Sequence, residues 1–306
     1  MENLNTVYSI LKAFPTEQSC REHLEKQFWS GNTCPFGCTD IKIYKYKDGK
    51  ILRCSGCKKN FTVTKGTIFE KTRIPLQKWF LAIHFLTSDR KGISSHQLAR
   101  ELEITQPNAW HLLHRLRKVM TNSDKYKRLM NGTVELDETY VGGKNKNKHF
   151  KKRKKGTQGR SLVDKSVVYG LMERGGFVRV FHIKNLSKKG MQAIVRVMVK
   201  KGASIMTDEY VNYKGLNQIY NHQTVNHGQY QYVDGNCHTN TIEGFWSYFK
   251  RGILGTYHST SKKYLKMYGQ EFAFRYNSRK ESLGTQFTNI LNQSLGCCLT
   301  KKDLIG

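Results

Sequence analysis

The sequence predicts a multidomain protein in which a small cysteine-bracketed β unit and a helical unit precede a larger α/β domain with a mixed sheet. Three observations carry this reading. Two cysteine pairs flank a hairpin-like stretch, CPFGCTDIKIYKYKDGKILRCSGC; the apolar period turns helical at Pro75; and from Thr133 onward strands come first, with helices interleaving afterwards.

Residues 3 to 13 and 16 to 29 read as two short amphipathic helices separated by Pro15, with Thr16 placed to cap the second. They make an N-terminal helical segment, 1–30. In residues 31–64, β-branched and aromatic residues alternate with polar ones, and Asp48-Gly49 signals a hairpin turn. That hairpin brings Cys34 and Cys38 to the same end as Cys54 and Cys57. Four thiolates so paired suit a tetrahedral Zn²⁺ with no open position, hence a structural ion whose binding energy folds a segment too small for its own core. Four buried free cysteines are the plainer alternative. Cys20, Cys237, Cys297 and Cys298 lack this spacing and read as packing residues.

Residues 65–125 hold three helical stretches, IPLQKWFLAIHFLTS, SSHQLARELEI and TQPNAWHLLHRLRKVM, broken at Gly92 and around Thr105. This is a helix-turn-helix pattern, or else a helical spacer. If the last helix enters the major groove, Gln106, Asn108 and His111 meet base edges, and Arg115, Arg117 and Lys118 meet phosphates. Ala99, Leu102, Trp110 and Leu113 then form its packing face.

The α/β domain spans 126–285, and 286–306 reads as a C-terminal tail. Within VELDETY, Val134 and Leu136 share one strand face while Asp137 points to the other. Asp208 ends the apolar segment SIMTD, and strand ends are where α/β sheets place their sites. Glu243 lies on a helix whose apolar stripe is Ile242, Phe245, Trp246 and Phe249. Three hard-oxygen ligands suit Mg²⁺, and two such ions serve in-line phosphoryl displacement; Lys250, two turns on, would reach a phosphate. Solvated or capping acids are the alternative, and Glu138 and Glu209 should point elsewhere if their segments are strands. The basic insert 144–165 includes KNKNKHFKKRKK, in which Lys151, Lys152, Arg153, Lys154 and Lys155 would grip a DNA backbone without sequence preference.

Charge narrows the partner. With 52 Lys and Arg against 23 acidic residues, a formal +29, the natural partner is a polyanion. No run of about 18 apolar residues and no signal-like N-terminus occur, so a soluble, intracellular protein with reduced thiols and no membrane partner is expected.

Taken in order, these motifs resemble one family. CPFGC, CSGC, FTVTKGTIFEKTRIPLQKWF, GISSHQLARELEI and AWHLLHRLRKVM resemble the zinc ribbon and helical front of insertion-sequence transposases of the ISXO/Merlin group. VELDETYVGGK, TDEYVNYKGL, HTNTIEGFWSYFKRGILGTYH and KYLKMYGQEFAFRYN resemble that group's catalytic domain, so the likeness runs from about residue 5 to 290. It implies an RNase H-like fold of the DDE superfamily with Asp137, Asp208 and Glu243 as the acidic triad and Lys250 as the lysine seven residues on. Some members use asparagine in the third position, which makes Asn240 a competitor of Glu243. Three residues separate Cys34 from Cys38, where two are commoner in the group. The resemblance also implies two Mg²⁺ ions, with Mn²⁺ as a substitute, and double-stranded DNA partners, both transposon ends and target. A homodimer or higher synaptic multimer in a prokaryotic, nucleoid-associated cytoplasmic setting follows by the same analogy. A zinc-ribbon and helix-turn-helix regulator without catalysis, and an RNase H-like nuclease that cuts without joining, are the rival functions.

Overall fold

A computed structural model of the chain describes residues 4–30, 33–47, 49–121, 128–143, 149–152, 165–184, 186–229, 231 and 233–305. The chain divides into two compact units, Met1–Asn122 with Lys280–Gly306, and Ser123–Arg279.

In the first unit, helices α1 (Val7–Ala13) and α2 (Glu17–Phe28) each open on a reciprocal cap. The Thr6 and Thr16 hydroxyls accept from the Ser9 and Ser19 N–H groups at 3.1 Å each, and the Ser9 and Ser19 hydroxyls accept in return from the Thr6 and Thr16 N–H groups at 3.0 and 3.2 Å. Strands β1 (Ile43–Lys45), β2 (Ile51–Cys54) and β3 (Asn60–Thr62) form an antiparallel sheet in that order. Gly49 takes φ +65° in the β1–β2 turn, a conformation glycine adopts without strain; Asp48, the other half of the expected turn pair, lies outside the described residues. Helices α3 (Leu76–Ser88), α4 (Ser95–Glu101) and α5 (Gln106–Met120) follow, with Trp79, Phe80, Ile83 and Leu86 of α3 buried.

The second unit is built on β4 (Thr133–Gly142), β5 (Lys165–Glu173), β6 (Val178–Ile183), α6 (Lys188–Met198), β7 (Ser204–Thr207), β8 (Asn221–Thr224), α7 (Asn240–Gly252) and α8 (Leu265–Asn277). Its strands run in the order β6-β5-β4-β7-β8; β6, β5 and β4 are antiparallel neighbours, and β7 and β8 join parallel to β4. Alternation along the strands sorts side chains to two faces. Val134, Leu136, Tyr169 and Leu171 pack with Met191 and Val195 of α6, while Val168, Met172 and Val180 pack with α7 and α8 on the other face. Strand β8 was not foreseen, because its residues NHQT are polar and mostly exposed at a sheet edge. The opposite edge, β6, is covered by α8: Gln270 Nε2 donates to Val180 O at 2.9 Å, and Asn277 both donates to Val178 O and accepts from its N–H.

Residues 286–306 are not a free tail. Helix α9 (Leu283–Asn292) buries Phe287, Ile290 and Leu291 in the first unit, each burial contributing about 1.5–3 kcal/mol, and the short α10 (Lys301–Ile305) follows. The Phe287 ring stands edge-on to Phe80 at 5.6 Å, and Phe80 edge-on to Phe14 at 4.8 Å. Beyond α9, Ile68 N–H donates to Ser294 O at 3.1 Å and Gly296 N–H to Gly66 O at 2.8 Å.

Candidate active site and metal centre

The parallel pairing of β4 with β7 places two of the acids. Thr133 pairs with Ser204, Val134 with Ile205 and Glu135 with Met206. Carried two residues past its last pair, the same register would set Asp137 beside Asp208, just after the carboxyl end of β7. Asp137 faces away from Val134 and Leu136, on the α7 side of the sheet, as the alternation requires. Its cross-strand partner on β5 is Gly170. A Cβ there would lie 2.5 Å from Trp246 Cζ2 and 2.9 Å from Ile242 Cδ1, so the bare glycine lets α7, and Glu243 with it, approach the sheet beside Asp137.

The acids act on one another electrostatically. Burial raises the Asp137 carboxyl well above the ordinary carboxylate range, and the charges of Glu138, Asp208 and Glu243 raise it further. The Glu138 N–H bond to Asp137 Oδ1, 2.8 Å, opposes this without overcoming it. Crowded carboxylates at a strand end are a donor set that a hard cation satisfies, and this fits magnesium in chemistry. Asp208 is buried and accepts from the Tyr210 N–H at 3.1 Å. Glu243 is 45% exposed at the side chain and accepts from Thr239 Oγ1 at 2.7 Å, with His227 Nε2 3.9 Å away. Asn240, its competitor, is exposed in the first turn of α7, and Lys250 is exposed near the helix end. Among the described residues these acids are not drawn into the tight ligand group that four cysteines form.

The neighbouring acids point elsewhere. Glu138 is buried on the α6 face and accepts from Tyr213 Oη at 3.0 Å, and Glu209 accepts from the N–H groups of His227 and Gly228 at 3.0 and 3.3 Å. Glu209 thereby holds the turn that carries His227 beside Glu243.

Sequence reasoning missed the residue that joins strand to helix. Glu135 is fully buried two residues before Asp137 and on the same face. It accepts from Ile242 N–H and Thr241 Oγ1 at 2.9 Å each and from Arg174 Nε at 2.6 Å, with His238 Nδ1 at 3.3 Å. Thr239 makes no side-chain cap, so Glu135 supplies from β4 the acceptor that the first turn of α7 needs. Arg174 also donates to the carbonyls of Asn236 and His238 at 2.8 and 2.9 Å, clamping the approach to α7. The signal was present in VELDE, where Glu135 and Asp137 share a period-two face.

In the first unit the sulfurs of Cys34, Cys38, Cys54 and Cys57 all lie within 4.8 Å of one another. A tetrahedron with ~2.3 Å Zn–S arms has edges of about 3.8 Å, so the four can close on one ion by small side-chain adjustments. The extra residue of the first knuckle is absorbed at Gly37, φ +91°, while Cys34 N–H still reaches Cys38 O at 3.0 Å. Hydrogen bonding from Cys34, then burial, pushes the Cys38 thiol up to about 12. Burial also acts to raise Cys54, but bonds from the Cys57 N–H and thiol outweigh it and bring Cys54 down to about 7. Such proton sharing is what a divalent cation replaces.

The expected DNA contacts of α5 are corrected in part. Arg115 is only 5% exposed: its Nη2 donates to Glu70 O at 2.7 Å and its guanidinium lies 5.5 Å from the Trp79 ring, so it packs and cannot meet a phosphate. Arg117, 1% exposed, is likewise a core residue. Gln106 is tied to Ser95 Oγ at 2.8 Å, and His111 has its Nε2 buried and its ring held below the usual histidine range by burial. Asn108 and Lys118 are exposed. Ala99, Leu102 and Leu113 are buried as a packing face requires, whereas Trp110 is half-buried. Lys151 is exposed; Lys152 is described in its backbone alone, and Arg153, Lys154 and Lys155 lie outside the described residues. Cys20, Cys237 and Cys297 are buried, but Cys298 is exposed and is not a packing residue. One surface was unforeseen: Tyr44 and Tyr46, 56% and 42% exposed, lie with Lys45, Lys47, Arg53 and Lys58 around one depression of the three-stranded sheet.

Residues 129–277 match the ISXO2-like transposase domain, and residues 15–60 match the transposase zinc-ribbon domain. An uncharacterized protein in transposable element ISH50 of Halobacterium salinarum is 27% identical over 278 residues, 87% of this chain and 92% of that one. The Mos1 strand transfer complex and a pre-cleavage Mos1 transpososome are each 11% identical, covering 68% of this chain and 77% and 78% of theirs, at a TM-score of 0.21. At that score the likeness says nothing about fold or function. The family resemblance read from the sequence holds on the two domain matches.

Proposed function

We propose that this chain, which carries an ISXO2-like transposase domain behind a transposase zinc ribbon, is the transposase of an insertion sequence: it binds the element's terminal inverted repeats, cleaves them and joins them to target DNA. The observation that supports this most is the β4–β7 register from Thr133↔Ser204 to Glu135↔Met206, which, carried two residues past its last pair, would bring Asp137 and Asp208 side by side on the face of α7, as the charges of Asp208 and Glu243 on the Asp137 carboxyl agree. The sheet order, three antiparallel strands extended by two parallel ones, supports an RNase H-like reading of the domain.

Asp137, Asp208 and Glu243 would hold two Mg²⁺ ions, and Mn²⁺ would substitute. When bound, such ions supply activation of the attacking oxygen and charge stabilisation at the leaving one. Cleavage forms a bond from water oxygen to phosphorus and breaks the P–O3′ bond at the transposon end, leaving a 3′-OH. In joining, that 3′ oxygen bonds to a target phosphorus and expels the target strand's own 3′ oxygen. Both are phosphoryl transfers, so no covalent enzyme intermediate is required. Glu135 and Arg174 fix the start of α7, and Lys250 would meet a phosphate from its last turns. The helices α4 and α5, through Asn108, and the Tyr44–Tyr46 face of the ribbon would contact the ends, and the basic insert would grip the backbone. A dimer or larger synaptic complex on paired ends is part of the same reading.

The test is incubation of the purified protein with a duplex carrying the element's own ends, with and without Mg²⁺. Joined products that require the metal support a transposase. Cleavage without joining would make it a nuclease, and sequence-specific binding with no scission would make it a regulator.

A further inference from the structure

The three-stranded sheet of the first unit turns its two faces to different surroundings. Alternation puts Leu52, Cys54 and Phe61 on one face, all buried, with the Trp29 ring edge-on to Phe61 at 5.5 Å. On the same face Lys45 Nζ is tied to Glu25 Oε2 of α2 at 2.6 Å. Tyr44 pairs across the strands with Arg53, and Arg53 with Asn60, so these three share the opposite face. Tyr46 N–H donates to Ile51 O at 3.0 Å, which carries the ladder one residue past β1 and sets the Tyr46 ring on the face of Tyr44. Both rings are exposed there, as are Arg53 and Asn60. The rings and Arg53 border a depression of about 630 Å³ together with Lys47 and Lys58. A valine or threonine would form the strand as well as a tyrosine, so strand formation does not account for two rings standing in solvent.

We propose that this open face is a stacking platform for single-stranded DNA, taking two successive unpaired bases, one on Tyr44 and one on Tyr46. Two positions apart on a strand, at ~3.3 Å per residue, the two tyrosines stand roughly 6.6 Å apart. Neighbouring bases of a duplex strand lie only about 3.4 Å apart with their faces covered by one another, so a duplex offers these rings no base face. A stretched, unpaired strand does, and base–aromatic stacking accepts any sequence because every base has a π-face. Lys47, Arg53 and Lys58 give the depression the charge that complements the strand's phosphates. The proposal rests on the DNA-acting reading above, in which cleavage at a transposon end frees a strand to unpair, but its test needs binding alone and not catalysis.

Binding to the full-length protein would be followed by anisotropy with three fluorescein-labelled probes: oligo-dT of roughly 12 nucleotides, an abasic strand of equal length, and a duplex carrying the element's end. Y44A and Y46A should each weaken oligo-dT binding by about 5-fold or more, and Y44A/Y46A by about 30-fold or more. The abasic strand and the duplex should bind the double variant as they bind wild type. The slope of log K against log salt, which counts phosphate contacts, should not change. Y44F/Y46F, which keeps both rings, should keep wild-type affinity. Zinc analysis and thermal melts show that the variants keep the fold. Oligo-dT binding unchanged in Y44A/Y46A, or weakened no more than that of the abasic strand and the duplex, overturns the platform while leaving the catalytic reading intact. A wild-type protein that binds the duplex but not oligo-dT does the same, and one that binds neither overturns both.

Discussion

The backbone N–H of Ile242 donates to Oε2 of the fully buried Glu135 at 2.9 Å, so the strand that carries Asp137 also caps the helix that carries Glu243. Two of the proposed metal-binding acids therefore share one mechanical support. Glu135→Ala leaves the Arg174 Nε–H and the Ile242 N–H without their acceptor, and removing one partner of a buried pair costs about 3–5 kcal/mol. Melting should fall accordingly, and DNA cleavage should fall further than melting explains. Glu135→Gln, which keeps an acceptor, should recover part of both. Cleavage at the wild-type rate in a destabilised Glu135→Ala protein would show that α7 needs no such anchor.

Asp137 should cost the metal-free fold stability at neutral pH. Its carboxyl is raised above the ordinary value of about 3.9, so its favourable contribution is present below that value and is lost as pH rises through the shifted one. In chelator at pH ~7, Asp137→Asn should melt higher than wild type by a few degrees, and the gain should vanish near pH 4. Mg²⁺ should raise the melting temperature of wild type and not of the variant. A variant that melts lower than wild type at neutral pH would contradict the crowding of these acids.

Gly170 should tolerate no side chain. With Trp246 Cζ2 2.5 Å from where a Cβ would sit, Gly170→Ala overpacks the sheet–helix seam at a cost of about 1–3 kcal/mol. Because α7 must then shift, cleavage should drop even at temperatures where the variant is fully folded, as circular dichroism would verify.

Zinc should be lost without loss of the unit Ser123–Arg279. The four cysteines lie in the unit Met1–Asn122 with Lys280–Gly306 and the acids in Ser123–Arg279. Cys54→Ser should abolish bound zinc by metal analysis and weaken binding to transposon ends, while the strands of Ser123–Arg279 keep their hydrogen-exchange protection. Retention of zinc by this variant would remove Cys54 from the ligand set.

Arg115 should behave as a core residue. Arg115→Ala removes the bond to Glu70 O and the contact with Trp79, so it should lower melting while leaving the salt slope of DNA binding unchanged. A slope lower by about 1 in a protein of unchanged stability would restore the phosphate contact.

Much of this was legible in the sequence where a local rule has one solution. Thr16 before an amphipathic run capped its helix, alternation in VELDETY put Asp137 opposite Leu136, and the cysteine spacing brought four sulfurs together. Long-range placement was not legible. Arg115 looks the same in sequence whether it meets a phosphate or the Glu70 carbonyl 45 residues away, and burial alone decides between them. The turn of α9 into the first unit hangs on Phe287, Ile290 and Leu291, a helical stripe too short to reveal its partner. VELDE shows Glu135 only as a carboxylate on the face of Asp137; that it caps a helix 107 residues away leaves no local signature.

The central claim is most directly tested by strand joining with Glu243→Gln and Asn240→Ala measured side by side, on a duplex carrying the element's ends in Mg²⁺. Glu243→Gln should bind the ends normally and give no joined product, while Asn240→Ala should still join them. Joining by Glu243→Gln at the wild-type level, with Asn240→Ala inactive, would contradict the assignment of the third acid.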